Sequence, residues 1–125
     1  HGPYQRQGLG EADREVWAAI EGLYRSGKTK MIGISNVTAE QLTQLCAQAA
    51  VKPMMVQNRC YAALGWDKEV REICRAHGII YQGFSLLTAN REVFADQGIR
   101  AIAQRLGTGL AQVVFRFACR LGCSR

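Results

Sequence analysis

The sequence predicts an α/β fold in which short parallel strands alternate with amphipathic helices. Apolar segments of strand length recur about every 25 residues, and apolar residues at helical spacing fill the intervals between them. The segment Met31-Ile-Gly-Ile34 is apolar without alternation, which favours a strand buried on both faces of a sheet. An open doubly wound sheet and a (β/α)8 barrel both agree with this pattern. A complete barrel typically takes about 250 residues, and this chain has 125.

The first helix is predicted upstream of Gly27, inside a segment that also matches a phosphate-binding loop. That segment is Gly22-Leu-Tyr-Arg-Ser-Gly-Lys-Thr29, and its glycine and lysine spacing binds phosphates when it follows a strand and opens a helix. Here the order is reversed, because a helical pattern precedes Gly27 and a short strand, residues 31–35, follows it. We therefore predict that Gly27 ends a helix, where positive φ is favoured.

The following segments repeat the alternation. Thr38 and Gln41 have the spacing of a capping box, which predicts a helix start with Leu42 and Leu45 on its apolar face. Residues 52–57 give the second strand pattern.

A third unit and two final helices complete the pattern. Asp67 is predicted to open a helix that Gly78 closes, and residues 79–84 give the third strand. Two more helical patterns follow, through residues 99–106 and 110–117. His77 completes the stripe of the third helix, where we expect a C-terminal cap or a packed residue.

Composition indicates one globular domain, residues 1–125. Hydrophobic residues make up 48% of the chain, yet no apolar run approaches the ~20 residues that span a bilayer. We expect a soluble, cytoplasmic protein without a membrane partner. The net charge of +6 attracts polyanions, but the basic residues are spread along the chain, so nucleic acid is not the expected partner.

The five cysteines are expected to be reduced, buried thiols. Their number is odd and their spacing is scattered, and Cys119 and Cys123 lack a second Cys or His pair that would complete a zinc site. No metal is expected.

Polar residues follow all three predicted strands, where ligands bind in parallel α/β folds. At a single strand end, such amide and hydroxyl groups would be explained by a cap on the next helix or by the turn. Three strand ends with such groups at the same level favour a binding rim for an uncharged, hydrogen-bonding ligand such as a carboxamide. The three ends are Ser35-Asn36, Gln57-Asn58-Arg59 and Phe84-Ser85.

These motifs resemble the second half of an aldo-keto reductase, and the resemblance covers nearly the whole chain. It implies a partial (β/α)8 TIM barrel, in which the strands correspond to strands five to seven with their helices. The segments that carry it are Trp17-Ala-Ala-Ile-Glu-Gly-Leu-Tyr-Arg-Ser-Gly-Lys28, Ile32-Gly-Ile-Ser-Asn36, Gln57-Asn-Arg59, Gly78-Ile-Ile-Tyr-Gln-Gly-Phe-Ser-Leu-Leu87 and Ala111-Gln-Val-Val-Phe-Arg-Phe117.

The resemblance also implies a cofactor, NADP(H), and a small-molecule carbonyl substrate. Ser35, Asn36 and Gln57 would hold the nicotinamide carboxamide. Phe84 stands where the family usually has the Tyr that stacks on the nicotinamide ring.

Two further positions and one catalytic residue follow from the same resemblance. Ser85 and Leu87 fall where the family contacts the pyrophosphate. His1, in His1-Gly-Pro, aligns with the His of the family's catalytic tetrad, although it could equally be a leftover tag residue.

Departures from the family pattern leave two functions open. No position here corresponds to the tetrad's Asp, Tyr and Lys, and the family's eighth strand and basic loop would follow Gly122. The Tyr is the family's general acid. The chain is therefore expected to be either an NADP(H)-dependent oxidoreductase that reduces a carbonyl, impaired in this form, or a non-catalytic self-associating truncated barrel or nucleotide-binding remnant.

Three strands cut from a closed barrel leave two unpaired edges and an apolar inner face. We expect the chain to cover them by self-association into a homo-oligomer.

Overall fold

The computed structural model describes residues 2–123 and has the predicted α/β architecture. In that range no helix is long and apolar enough to cross a bilayer. The helices are α1 (Glu11–Arg25), α2 (Ala39–Gln48), α3 (Lys68–His77), α4 (Arg91–Ala95), α5 (Gln97–Arg105) and α6 (Leu110–Arg120), and the strands are β1 (Gly33–Ser35), β2 (Met55–Arg59) and β3 (Ile80–Phe84). A short 3-10 segment, Ala62–Asp67, joins β2 to α3.

The three strands form one parallel sheet in the order β1-β2-β3. Ser35 lies beside Gln57, and Gln57 lies beside Gln82. Consecutive strands are neighbours joined through α2 or α3, which is the repeated βαβ connection of a parallel barrel. The predicted α/β fold is confirmed.

One face of the sheet is buried beneath α2 and α3. Val56 and Tyr81 point from the strands into a core that also contains Leu42 of α2 and Val70 and Cys74 of α3. All five side chains are buried, with exposed fractions of 3% or less. This core holds the strands in register and therefore fixes the level at which their C-terminal ends meet.

The opposite face of the sheet carries both apolar and polar rows. The row nearest the N-terminal ends contains Met55 and Ile80, and Ile80 is 41% exposed. The next row contains Ser35, Gln57 and Gln82. The expected apolar inner face is thus half polar, because this side of the sheet turns toward the candidate site.

A second, smaller core attaches α1 to the first edge of the sheet. Trp17 packs with Ile32 and Leu45, and its indole Nε1 donates to the carbonyl of Val51 at 3.1 Å. Glu21, although buried, accepts from the Val51 N–H at 3.0 Å and from Arg25 at 3.2 Å. Two hydrogen bonds to Val51 therefore fix the chain before β2 against α1.

The end of α1 excludes the phosphate-binding loop. Gly22 lies inside the helix, and Gly27 follows its end with φ of +74°. The N–H groups of Gly27 and Lys28 bond the carbonyls of Tyr24 and Leu23 at 3.0 and 3.1 Å, which closes the last turn. The predicted helix cap is confirmed.

Several boundaries differ from those predicted. The second strand begins at Met55 rather than at residue 52, because Pro53 has no N–H to donate to a neighbouring strand, and it continues through Asn58 and Arg59, which pair with β3. The helix α4 was not predicted, because five residues show too little periodicity.

His77 is exposed in the last turn of α3, so the packed interpretation was wrong. The expectation of buried, reduced cysteines holds for all but Cys119, which is half-buried.

Candidate functional site

The C-terminal ends of the three strands bring together the polar residues of the predicted rim. A chain of hydrogen bonds crosses all three strands. Asn36 Nδ2 donates to Ser35 Oγ at 3.1 Å, Ser35 Oγ donates to the Gln57 carbonyl at 2.7 Å, and Gln57 Nε2 donates to Gln82 Oε1 at 2.8 Å. Asn36 and Gln57 are exposed. The rim therefore offers neutral amide groups, fixed by their neighbours, to a ligand above the sheet.

The loop after β1 holds Asn36 in a left-handed conformation. Its φ is +52°, which asparagine tolerates better than most residues. The Asn36 N–H bonds the Gln57 carbonyl at 3.1 Å, so the same carbonyl accepts from both Ser35 and Asn36. β2 thus sets the position of the two rim residues contributed by β1.

Asn58 fixes this loop from the buried side of the sheet. Its Oδ1 accepts from the Val37 N–H at 3.0 Å, and its Nδ2 donates to the Val37 carbonyl at 2.7 Å. Asn58 and Val37 are both buried. Gln57, through its backbone carbonyl, and Asn58, through its side-chain amide, therefore hold successive residues of one loop.

Asp67 and Tyr81 orient the Asn58 side chain. Asp67 Oδ2 accepts from Asn58 Nδ2 and from the Tyr81 hydroxyl, each at 2.8 Å. Burial, and then the charge of Asp67, raise the pKa of Tyr81 far above its ordinary value, so the phenol remains a donor. Asp67 is the N-cap residue of α3, as predicted, but its carboxylate serves this network rather than capping the helix.

Phe84 extends the rim along β3. It lies two residues beyond Gln82 on the same face of the sheet, about 7 Å along the strand. The Arg59 guanidinium carbon is 5.9 Å from its ring centroid, within the range of a cation–π contact. Phe84 is half-buried and offers a flat apolar surface beside the amide row.

Ser85 and Leu87 continue from Phe84 into the turn that follows β3. The φ of Ser85 is +58°, and its carbonyl accepts from the Ala89 N–H at 3.0 Å. Phe84, Ser85, Leu87 and Thr88 line one shallow cleft of about 400 Å³. The six predicted cofactor-binding residues therefore form two adjacent groups, the amide row and this cleft.

His1, the predicted catalytic residue, lies outside the described residues. Among residues 2–123 no group of three or more Cys, His, Asp or Glu side chains is arranged to hold a metal ion. Sequence reasoning missed the network of Asn58, Asp67 and Tyr81, although a polar residue at an apolar position of β2 was a usable signal for it.

Comparison with known proteins identifies the family of this chain. The family model of the aldo/keto reductases matches residues 4–122. Glyoxal reductase of Bacillus subtilis is 31% identical over 109 residues, which is 87% of this chain and 39% of that protein.

Solved structures agree with this match. The aldo/keto reductase of Brucella melitensis superposes with a TM-score of 0.77 and 26% identity over 87% of this chain and 41% of that one. An aldo-keto reductase complexed with NADPH (AKR2E5) gives a TM-score of 0.75 at 21% identity, over 89% of this chain and 37% of that one, and shows likeness of fold alone. The chain spans about a third to two fifths of the length of most of the curated relatives it matches.

Proposed function

Because the chain belongs to the aldo/keto reductase family, we propose that it carries the nicotinamide-binding part of an NADP(H)-dependent oxidoreductase that reduces a small carbonyl compound. The observation that carries the proposal is the hydrogen-bonded row of Asn36, Ser35 and Gln57 beside the ring of Phe84. When bound, the cofactor would supply the hydride. The protein's task is then to hold the nicotinamide in one orientation.

The donor set fits the cofactor it would hold. A carboxamide presents one carbonyl and one NH₂ group, and the side-chain amides of Asn36 and Gln57 can each donate and accept. The flat side chain of Phe84, with Arg59 beside it, suits an aromatic ring that stacks. The cleft lined by Ser85 and Leu87 continues from that ring and has room for the pyrophosphate.

The preference for NADP(H) over NAD(H) is part of the same proposal. A net charge of +6 favours the more anionic cofactor, and the structural neighbour named above was crystallised with NADPH. We place the protein in the cytoplasm, where reduced cysteines are the rule.

Carbonyl reduction also needs a proton donor near the substrate oxygen. The rim groups of this chain are amides and a hydroxyl, so we propose that it binds cofactor but turns over poorly by itself. His1 would help to orient the substrate carbonyl. In support of that role, a Cβ added at Gly2 would lie 3.1 Å from Asn36 Cβ, so the residue that follows His1 adjoins the rim.

Calorimetric titration of the 125-residue chain with NADPH tests the proposal, with NADH and ATP as competing ligands. We expect saturable binding that prefers NADPH and that Gln57→Leu weakens at least tenfold. The matched control is Gln48→Leu, because Gln48 is exposed at the end of α2, away from the rim. Absence of binding, or equal loss in the two variants, would overturn the proposal.

A second candidate function is self-association of a non-catalytic barrel segment. The described sheet has β1 and β3 at its edges, and Ile80 is exposed on the uncovered face. Sedimentation velocity tests it: wild type should sediment as an oligomer, and Ile80→Lys should shift it to monomer. The control Leu106→Lys changes an exposed residue of the α5 end and should leave the oligomer intact. A monodisperse wild-type monomer contradicts this candidate.

A further inference from the structure

Two cysteines that take no part in the rim lie in contact with each other. Cys60 follows the last residue of β2, and Cys123 follows α6. Their Sγ atoms are 3.9 Å apart, and the residues are 0% and 5% exposed. They are separated by more than half the chain in sequence, so only the fold brings them together.

Gly83 packs closely against both cysteines. A Cβ added at Gly83 would lie 3.5 Å from Cys60 Sγ and 3.6 Å from Cys123 Sγ, and only 2.9 Å from Cys60 Cβ. Gly83 and Cys123 also line a cleft of about 580 Å³ between β3 and α6. The cleft therefore reaches Cys123, whereas Cys60 does not line it and is 0% exposed behind its partner.

A buried cation stands beside the pair. Arg71 is 8% exposed, and its Nε and Nη1 donate to the carbonyls of Trp66 at 2.7 Å and Leu121 at 2.9 Å. Trp66 lies in the segment that follows Cys60, and Leu121 lies two residues before Cys123. The guanidinium is therefore fixed between the two segments that carry the sulfurs. Its charge favours the thiolate of either cysteine.

The two thiols are not equivalent. The hydrogen bond from Cys123 lowers the pKa of Cys60, and the charge of Arg71 acts in the same direction against burial and against the charge of Asp67. The pKa of Cys123 is raised, first because its proton is held in that hydrogen bond. Of the two thiols, Cys60 therefore loses its proton more readily than Cys123. By contrast, burial raises the pKa of Cys74 to about 12, so that thiol is inert.

We propose that Cys60 and Cys123 form a peroxide-responsive pair that closes to a disulfide. The thiolate of one cysteine of the pair attacks one oxygen of hydrogen peroxide, the O–O bond breaks, and the departing hydroxide takes up a proton to become water. The sulfur of the other cysteine then attacks the resulting sulfenic sulfur, and the hydroxyl leaves as a second water with the proton of the attacking thiol. Two thiols and one peroxide thus give one disulfide and two waters.

The disulfide would join the end of β2 to the end of α6. Cys60 comes one residue after Arg59 and three after Gln57, so the bond would tie the rim side of the sheet to the last helix. It would close a loop of about 60 residues, which restricts the unfolded chain and stabilises the folded one. Peroxide would therefore convert a marginal assembly of strands into a more rigid one.

The test is treatment of the reduced 125-residue chain with one equivalent of hydrogen peroxide, followed by alkylation and mass-spectrometric peptide mapping. We expect the number of alkylated thiols to fall from five to three and one peptide pair to be linked through Cys60 and Cys123. The midpoint temperature of thermal unfolding should rise by on the order of 10 °C upon oxidation, and reductant should reverse this rise.

Substitutions of single cysteines distinguish a bond between Cys60 and Cys123 from a bond through the neighbouring Cys119. Cys119→Ser should keep the cross-link, although Cys119 lines the same cleft. Cys60→Ser and Cys123→Ser should each abolish it, and the remaining cysteine of the pair should carry one added oxygen in the peptide map. Peptide mapping of the wild-type protein tests the cross-link even where a variant fails to fold. A disulfide through Cys119, or five thiols that stay unreacted until the chain unfolds, would overturn the proposal.

Discussion

The side-chain amide of Asn58 bonds both backbone polar groups of Val37, at 3.0 Å to the N–H and 2.7 Å to the carbonyl. Both residues are buried, and Asn58 adjoins Gln57, whose carbonyl holds Ser35 and Asn36. The exposed amide row is therefore supported from inside the protein. A loop held in this way keeps its conformation before a ligand arrives, which reduces the entropy lost on binding.

Replacing Asn58 by Leu should destabilise the protein by about 2–4 kcal/mol, because it leaves both polar groups of Val37 buried without their partner and removes one hydrogen bond to the half-buried carboxylate of Asp67. Urea unfolding followed by circular dichroism gives the free energy of unfolding. The substitution Gln48→Leu, at an exposed helical position, should change it by less than about 0.5 kcal/mol. Equal effects of the two substitutions would show that the network contributes nothing.

Two glycine substitutions should change the stability of the protein in opposite directions. A Cβ at Gly33 would lie 2.5 Å from the backbone oxygen of Met55, so Gly33→Ala must push β1 from β2 and destabilise the sheet. Gly22 lies within α1 with nothing within 4 Å of an added Cβ, so Gly22→Ala should stabilise the chain by roughly 0.5–1 kcal/mol.

The melting temperatures of the two variants measure this contrast, since both add the same methyl group. Stabilisation by Gly33→Ala would mean that β1 does not approach β2 as closely as described.

The sequence predicted the alternation of strands and helices because burial on both faces gives each strand a continuous apolar run. It also placed Ser35 and Gln57 at the same level, since parallel strands end together. The predicted ends of the strands were less accurate. Whether residue 52 or residue 59 belongs to β2 depends on pairing with β3, which is a contact between distant residues that no local pattern contains.

Polar groups on the buried side of the sheet were harder to foresee. Asp67 has the sequence of a helix cap, but its left-handed backbone turns the carboxylate toward Asn58 and Tyr81 instead. The contact of Cys60 with Cys123 likewise depends on how α6 returns to the sheet. Local propensity favours a cap at Asp67, and the tertiary hydrogen bonds outweigh it.

Alkaline pH should destabilise the protein through Cys74. Burial, then the charges of Asp67 and Cys46, raise its pKa from 9.0 to about 12. A raised pKa in the folded state stabilises the fold below pH 9, and this contribution is lost as the pH rises toward 12. The loss could reach about 4 kcal/mol, since each pKa unit corresponds to about 1.4 kcal/mol.

Urea unfolding of wild type and Cys74→Ala between pH 8 and 11 measures this loss. The variant should be less stable at pH 8, because it loses the packed sulfur, and the difference should shrink as the pH rises. The control is Cys119→Ala, which removes a half-buried thiol. Parallel curves for wild type and Cys74→Ala would contradict the prediction.

Phe84→Ala should weaken NADPH binding about tenfold, because it removes the stacking surface while leaving the amide row in place. Phe84→Tyr keeps the ring and adds a hydroxyl at a half-buried, accessible position, so it should bind as wild type does. Calorimetry of the three proteins gives the affinities, and circular dichroism shows whether each is folded. If Phe84→Ala binds as tightly as Phe84→Tyr, the ring does not contact the nicotinamide. The orientation of the cofactor would then rest on Ser35, Asn36 and Gln57 alone.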